Sequence, residues 1–215
     1  MSRAFLHNYC LIPFLLLAVT AAGQRGRKSD ILAPTSAKAR LNVAASHEAL
    51  QAASWTSGLA LRSVGPTVMS GRVVDLSVNP ENPAEFVVGY ATGGLWHTTD
   101  QGTSFQPLFD RDLMIFVGAI AVDWERRHIW VGTGEVNASR SSYAGVGIYL
   151  SKDWGDSWTH AGLSETHHIG RIVLDEDDGV YVAAAGPLYN DTHSNAQRGI
   201  YHTTDRGTTW KLLLD

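Results

Sequence analysis

Cysteine is nearly absent from this 215-residue chain, which has only Cys10, close to the N-terminus. A single thiol cannot form an intrachain disulfide or build a multi-cysteine metal site. The chain also lacks an apolar run of the about 20 residues that a membrane-spanning helix requires. We therefore expect no disulfide scaffold, no thiolate metal centre and no transmembrane segment.

Basic residues are scarce outside the N-terminal region. Residues 1–55 carry six Lys or Arg and two Asp or Glu, which leaves 11 basic and 19 acidic side chains in the rest of the chain. Nucleic-acid binding requires a basic face for the phosphates, so the acidic body argues against DNA or RNA as a partner.

The N-terminus has the layout of a secretory signal peptide. Arg3 precedes an apolar run from Leu11 to Ala22, and small residues follow. We predict a signal peptide over residues 1–23 and a secreted, extracellular or periplasmic product; the alternative is a buried apolar strand or helix. Residues 24–57 are rich in Ala, Ser and basic residues and are predicted to be a linker, with a short helix around 45–53.

One short pattern, Ser/Thr-x-Asp-x-Gly-x-x-aromatic, occurs three times. The copies are "TTDQGTSF" at 98–105, "SKDWGDSW" at 151–158 and "TTDRGTTW" at 203–210. Each copy directly follows an apolar run that begins with Gly ("GLWH", "GIYL" and "GIYH"). Two further runs rich in Val and Ile lie upstream and a short closing run follows, which indicates four antiparallel strands per unit. Glycine (21 residues) and tryptophan (7) are abundant, as in all-β proteins with many tight turns.

Four strands repeated every fifty-odd residues predict the blades of a β-propeller. We place the blades at about 71–109, 117–163 and 169–214 within a partial propeller over residues 58–215, with 58–66 as a possible closing strand. Propellers usually have about 4–8 blades. The chain is therefore expected to be part of a larger propeller, whose other blades come from further sequence or from another chain.

The repeated pattern is expected to pin the hairpin between the third and fourth strands of each blade. The Asp accepts backbone N–H groups across its turn, Gly provides the turn geometry, and the ring packs between sheets. The residues given this structural role are Thr98, Asp100, Gly102, Phe105, Ser151, Asp153, Gly155, Trp158, Thr203, Asp205, Gly207 and Trp210.

These hairpins resemble the Asp box, or bacterial neuraminidase repeat, of sialidases, xyloglucan-cleaving glycosidases and sortilin-type propellers. The body of the chain is most similar to the sortilin N-terminal-like family of secreted, glycosyl-hydrolase-like repeat proteins. The stretches that carry the resemblance are "LRSVGPTVMSGRV" (61–73), "GGLWHTTDQGTSF" (93–105), "WVGTGEVNASRSSYAGVGIYLSKDWGDSW" (130–158), "THHIGRIVL" (166–174) and "RGIYHTTDRGTTW" (198–210).

The face opposite the Asp boxes is predicted to carry the binding surface, because the longer loops lie there. The candidates on this face are Glu135, Asn137, Arg140, Tyr143, Glu165, His167, His168, Arg171, Tyr189 and His193. Glu135 is the one candidate for a general acid; the alternative is an ion pair with Arg140 or Arg171 that holds the loop.

The sequence offers no complete catalytic or metal-binding set. Glycoside hydrolysis generally requires two carboxylates roughly 5–10 Å apart, and Asp123 is expected at the opposite end of the blade from Glu135. The second acid could be Glu165, Asp110, Asp112 or Asp191, and nothing in the sequence singles one out. The adjacent His167 and His168 point apart in an extended chain, and His97 and His202 are predicted to lie on the blade surface.

The function predicted from sequence is therefore a secreted scaffold that binds a protein or glycan, without metal or cofactor. The alternative is the N-terminal part of an Asp-box glycoside hydrolase that acts on a polysaccharide.

Overall fold

Three four-stranded antiparallel sheets follow one another along the described part of the chain. The computed structural model describes residues 35–59, 71–109, 116–137, 142–187 and 197–215. The chain divides into two compact units, Met1–Ala33 and Pro34–Asp215, and the sheets belong to the second. The predicted signal peptide and most of the predicted closing strand at 58–66 lie outside the described residues.

Each sheet is built from four strands consecutive in the chain, the first of which is the innermost. Blade 1 contains β1 (Val73–Val78), β2 (Phe86–Tyr90), β3 (Gly94–Thr98) and β4 (Gln106–Pro107). Blade 2 contains β5 (Val117–Asp123), β6 (His128–Thr133), β7 (Ile148–Ser151) and β8 (Thr159–His160). Blade 3 contains β9 (Ile169–Leu174), β10 (Val180–Ala184), β11 (Gly199–Thr203) and β12 (Lys211–Leu214). The predicted all-β class with four-stranded propeller blades is confirmed.

The blades stack face to face, and two apolar clusters fill the junctions between them. Successive side chains of β6 point to opposite faces of the sheet. Ile129 and Val131 therefore belong to the cluster shared with blade 1, and Trp130 belongs to the cluster shared with blade 3. Burial of each such side chain stabilises the fold by about 1.5–3 kcal/mol. A blade in the middle of the row is therefore stabilised on both faces.

A helix, α1 (Ala37–Ala53), occupies half of the segment 24–57 that was predicted to be a linker. It begins well before the short helix expected at 45–53, because the Ser36 side chain caps it by accepting a hydrogen bond from Ala39 N at 3.3 Å. Its Val43 and Leu50 side chains are 66% and 72% exposed. Among the described residues, no helix is long and apolar enough to cross a membrane.

Candidate functional site

The three hairpins that carry the repeated pattern, called Asp boxes below after the motif they resemble, share one set of hydrogen bonds. In the first, Asp100 Oδ1 accepts from Thr98 Oγ1 at 2.8 Å and from Ser104 N at 2.9 Å, and Gly102 N donates to Thr98 Oγ1 at 3.0 Å. The same bonds recur around Asp153 and Asp205. The glycines have φ of +83°, +91° and +82°, a conformation that a side chain disfavours. The geometry is that of a self-contained turn.

Sequence reasoning missed one member of each hairpin. The hydroxyl before the aromatic residue donates to the second carboxylate oxygen, from Ser104 at 2.6 Å, Ser157 at 2.5 Å and Thr209 at 2.6 Å. The signal was present, because all three copies have Ser or Thr at this position. The full pattern is therefore Ser/Thr-x-Asp-x-Gly-x-Ser/Thr-aromatic.

Hydrogen bonds from the Ser104 side chain and backbone, followed by that from Thr98, lower the pKa of Asp100 to about 2. The equivalent bonds lower the pKa of Asp153 and Asp205 to about 2 as well. A lowered native pKa means that the stabilisation is present above the ordinary value of 3.8 and is lost as the pH falls through about 2. We expect the carboxyl ¹³C resonances of these three residues to titrate with midpoints near 2 in NMR spectra; midpoints near the ordinary value of 3.8 would contradict the pattern.

The Asp-box tryptophans tie each hairpin to the preceding blade. Trp158 Nε1 donates to Leu108 O at 3.0 Å, and Trp210 Nε1 donates to Ala161 O at 2.7 Å. The ring of Phe105 has no N–H to donate, and it packs edge-on against Phe86 of its own blade, with ring centroids 6.1 Å apart. The Asp boxes thus support folding and leave the opposite end of the blades as the candidate binding face.

That opposite end, here called the loop face, centres on Glu135, which directly follows strand β6 and is 1% exposed. Its carboxylate accepts from Arg72 through both Nε (3.2 Å) and Nη2, and from Ser142 Oγ at 3.2 Å. The ion-pair partner is thus Arg72 of blade 1 rather than the expected Arg140 or Arg171. Arg140 lies outside the described residues, and Arg171 pairs with Asp75 at 3.3 Å.

The charge state of Glu135 follows from these partners. Burial alone would raise the pKa of Glu135, but the hydrogen bond and charge of Arg72, helped by Ser142 and Asn137, outweigh it and hold the pKa below its usual value. A general acid must be protonated at the working pH. The geometry therefore suits Glu135 to holding the loop face together and does not suit it to proton donation.

The two histidines predicted on the binding face are buried instead. His168 is 5% exposed and its Nδ1–H donates to Glu135 O at 3.0 Å, while His167 is 7% exposed and its Nε2 accepts from Arg40 of α1 at 3.2 Å. Burial, then the charges of Arg40 and His168, lower the pKa of His167 to about 4. Burial also lowers the pKa of His168. Both are neutral near pH 7, and their hydrogen bonds help to hold Glu135 and α1 in place at the loop face.

The N-terminal turn of α1 is anchored at the same place. Glu165, predicted as a surface candidate, accepts from Ala37 N through both oxygens at 3.2 and 3.1 Å. Arg40 Nη2 donates to Ser164 O at 3.1 Å. The start of the helix is therefore part of the loop face.

Among the histidines predicted on the blade surface, His97 is in fact buried at 8% exposure. Its Nε2 lies 2.9 Å from Glu85 Oε1, and its ring meets Trp154 of blade 2 edge-on at 5.1 Å. The expectation of a surface position was wrong because the neighbouring blade covers this strand. His202, at the equivalent position of blade 3, stacks on Tyr181 at 4.3 Å.

One candidate of the binding face is both exposed and fixed in place. Tyr143 is 50% exposed, and its ring stacks on Phe116 with centroids 4.7 Å apart and planes at 22°. The chain around it is held on both sides, by Ser142 Oγ on Glu135 and by Gly145 N on His167 O at 2.6 Å. The remaining candidates Tyr189 and His193 lie outside the described residues.

Asp123 lies away from Glu135, as expected, and does not pair with it at this face. At the loop end of strands β5 and β6, Val117 pairs with Thr133. Asp123 pairs with His128 at the opposite, far end of the same two strands. There Arg126 bridges Asp123 at 2.8 Å and Asp178 of blade 3 at 3.1 Å. Within the described ranges, no cluster of three or more His, Cys, Asp or Glu side chains is arranged to hold a metal ion.

Comparison with known proteins gives matches to solved structures alone: no family model and no curated protein matches the chain. A GH74 enzyme of Niastella koreensis is 20% identical over 65% of this chain and 21% of its own length, with a TM-score of 0.45. YCF48 from Cyanidioschyzon merolae is 17% identical over 71% of this chain and 39% of its own, with a TM-score of 0.46. PorZ, a surface component of the type-IX secretion system of Porphyromonas gingivalis, is 20% identical over 63% of this chain and 18% of its own length, with a TM-score of 0.43. The chain thus spans about a fifth of the GH74 enzyme and about two fifths of YCF48.

Proposed function

We propose that this chain is an exported propeller module of the sortilin-like Asp-box type that binds a protein or glycan ligand on its loop face. The observation that carries the proposal is the Tyr143–Phe116 pair, a flat aromatic surface held on a rigid base. Loops positioned by a rigid scaffold are where binding residues concentrate, and a pre-organised surface loses little entropy on binding.

The base is held in place by hydrogen bonds that converge on Glu135. Glu135 joins Arg72 of blade 1 to Ser142 of the blade 2 loop, and His168 of blade 3 donates to the Glu135 carbonyl. All three blades therefore meet at this residue. Removal of a partner would leave a buried charge, so the arrangement resists rearrangement.

The chemistry of the surface suits a ligand with both apolar and polar groups. The aromatic face of Tyr143 can pack on the apolar face of a sugar ring or on a proline or aromatic side chain. Arg72, whose side chain is 42% exposed, places guanidinium donors on the same face. A glycan array and a peptide array, screened with the same protein, distinguish the two ligand classes.

Loss of the exposed ring should weaken binding. We expect Tyr143→Ala to lower affinity for the ligand found on the arrays by about 30-fold, the effect of losing one central aromatic contact. Tyr143→Phe should retain most of the affinity if stacking dominates. Trp55→Ala is the matched control, because Trp55 is 90% exposed and follows α1 in the chain. Equal affinity for the native protein and its three variants by titration calorimetry would place the ligand site elsewhere.

A hydrolysis assay separates the scaffold from the glycoside hydrolase. Polysaccharides bound on the array are incubated with the protein, and reducing ends are measured for the native chain and for Glu135→Gln. Saturable binding without turnover supports the scaffold. Turnover that Glu135→Gln abolishes would overturn it in favour of the enzyme.

The export step has its own test. Expression in a secreting host should yield a mature protein whose first residue, determined by N-terminal sequencing, lies close to Ala22 or Gly23. A product that retains Met1 or stays inside the cell would contradict the leader over residues 1–23.

A further inference from the structure

The two junctions between the described blades differ at the Asp-box end, opposite the loop face. At the junction of blades 1 and 2, Trp154 directly follows the Asp-box aspartate. Its ring meets His97 of blade 1 edge-on at 5.1 Å, and the Arg127 guanidinium lies 3.8 Å from its centroid. The ring of Trp124 lies against it at 5.3 Å. The Trp154 indole thus occupies the space between these two blades.

At the junction of blades 2 and 3, three equivalent positions carry different residues. In place of His97, Leu108 and Trp154 stand Leu150, Ala161 and Arg206. The equivalence follows from the strand register, from the carbonyl that accepts the Asp-box indole, and from the position directly after the Asp-box aspartate. With arginine in place of the indole, a cleft of about 410 Å³ remains open. Small-molecule sites typically have volumes of about 300–1,000 Å³.

This cleft has an apolar floor and a polar rim. The floor is formed by Leu150 and Ala161, both of which are buried. The exposed residues around it are Lys152, Thr159, Arg206 and Thr208. An apolar base with a few polar groups that converge on it is typical of a site for a small ligand.

Two cations of the rim are free to receive an anion. Among the described residues, neither Lys152 nor Arg206 has a partner in a hydrogen bond or an ion pair. The carboxylate of Asp205 also lines the cleft, but its oxygens accept hydrogen bonds from within the Asp box. A smaller depression that also includes Arg206 contains the acids Asp123, Asp175 and Asp178, two of which Arg126 already bridges.

The side chain of His128 responds to both cations. Burial lowers its pKa most and the charge of Asp123 opposes this, while the charges of Arg206 and Lys152, followed by that of Arg126, lower the pKa further. Like charges held near one another without a counter-ion raise the free energy, and an anion placed between them lowers it. An anion bound in the cleft should therefore raise the pKa of His128.

We infer that this cleft binds an anionic sugar, whose carboxylate or sulfate group lies between Lys152 and Arg206. Oxyanions form strong, charge-assisted hydrogen bonds with ammonium and guanidinium groups. The sugar ring would pack on the apolar floor, and its hydroxyls would bond to the two threonines of the rim. A peptide fits less well, because the adjacent edge strand β8 spans only Thr159–His160 and offers little main chain for strand pairing. The cleft lies at the opposite end of the blades from the loop face, so this inference does not rest on the ligand proposed there.

Calorimetric titration of the full chain with glucuronate, a glucose sulfate and glucose tests the inference. We expect at least one of the anionic sugars to bind and to raise the pKa of His128 in NMR spectra, whereas glucose should not bind. Arg206→Gln and Lys152→Gln should each weaken binding by about 10-fold or more, because each removes a charge-assisted contact. Both side chains are exposed, so the variants should keep the native unfolding midpoint. Lys38→Gln removes an exposed cation of α1 and is the matched control, with native affinity expected.

Two further probes separate the competing ligand classes. N-acetylaspartate that binds more tightly than either anionic sugar would overturn the inference in favour of an acidic peptide. Inorganic phosphate that binds as tightly as the sugars would show that the cleft recognises the charge alone and not the sugar ring. Equal affinity for glucose and glucuronate, native affinity in Arg206→Gln, or no binding of either anionic sugar at millimolar concentration would each overturn the site.

Discussion

Replacement of Gly134 by alanine is expected to destabilise the protein by about 3 kcal/mol or more, since a left-handed backbone position and a backbone clash are combined. Gly134 has φ of +82°, and an added Cβ would overlap His167 O and lie 2.6 Å from Gly145 N. Both are backbone atoms, so no side-chain rotation relieves the clash. Gly134 also donates to Phe116 O at 2.8 Å and accepts from Ile169 N at 3.0 Å, so its displacement would strain the junction of blades 2 and 3.

Gly170→Ala is the matched control for this prediction. Gly170 lies on the neighbouring strand β9, and its added Cβ would meet nothing closer than 3.5 Å, from Val136. Its effect is expected within about 0.5 kcal/mol of zero. Urea unfolding followed by tryptophan fluorescence measures both variants. Equal midpoints for the two would contradict the tight packing at Gly134.

The second large effect is expected for Arg72→Ala, which leaves the Glu135 carboxylate buried without its charged partner. Loss of one member of a fully buried pair costs about 3–5 kcal/mol. Because the Arg72 side chain is 42% exposed and water can replace part of it, we expect a smaller loss than this at pH 7, still well outside the error of the measurement. The measurement is the free energy of unfolding in urea.

The pH dependence of this loss identifies its cause. In the native protein the pKa of Glu135 lies below its ordinary value of 4.5, so its contribution to stability is present above that value and is lost as the pH falls through the lower, folded value. In Arg72→Ala, burial is the dominant influence and raises the pKa, so the carboxyl takes up a proton on folding. The difference between variant and native stability should therefore shrink between pH 7 and pH 4.

Glu135→Gln provides the control for that pH dependence. Combined with Arg72→Ala, it removes the buried charge, so the double variant should be more stable than Arg72→Ala at pH 7 and should lose the pH-dependent difference. A pH-independent loss in Arg72→Ala alone would indicate that packing of the arginine stem, and not the charge of Glu135, is what matters.

The features that could be predicted from sequence are those determined within a few residues. The Asp-box hairpins repeat a pattern of eight residues, and each of their side-chain hydrogen bonds joins positions close in the chain. The strands around them follow from alternating apolar residues and from regular spacing. The fold class therefore required no knowledge of how one blade meets another.

The features that could not be predicted depend on contacts between blades. The sequence suggested Arg140 or Arg171 as the partner of Glu135, but the arginine that pairs with it, Arg72, is 63 positions away on another blade. His97 looked exposed by its position in the strand, and only the stacking of blade 2 buries it against Trp154. The docking of α1 on Glu165 joins residues 128 positions apart. Contacts between residues so far apart in the chain depend on the angle between neighbouring sheets, which no local sequence pattern determines.

The closed hydrogen bonding of the Asp boxes has a consequence for the order of events during synthesis. Around Asp100, the hairpin is completed by partners at most four positions apart, so it can form within microseconds of the segment becoming available. The tryptophan bonds between blades, by contrast, span 50 and 49 positions. During synthesis, the hairpin of each blade can therefore form before the next blade is complete. Trp158 and then Trp210 would hydrogen-bond their blades to the preceding ones, so that the blades assemble in order from the N-terminal side.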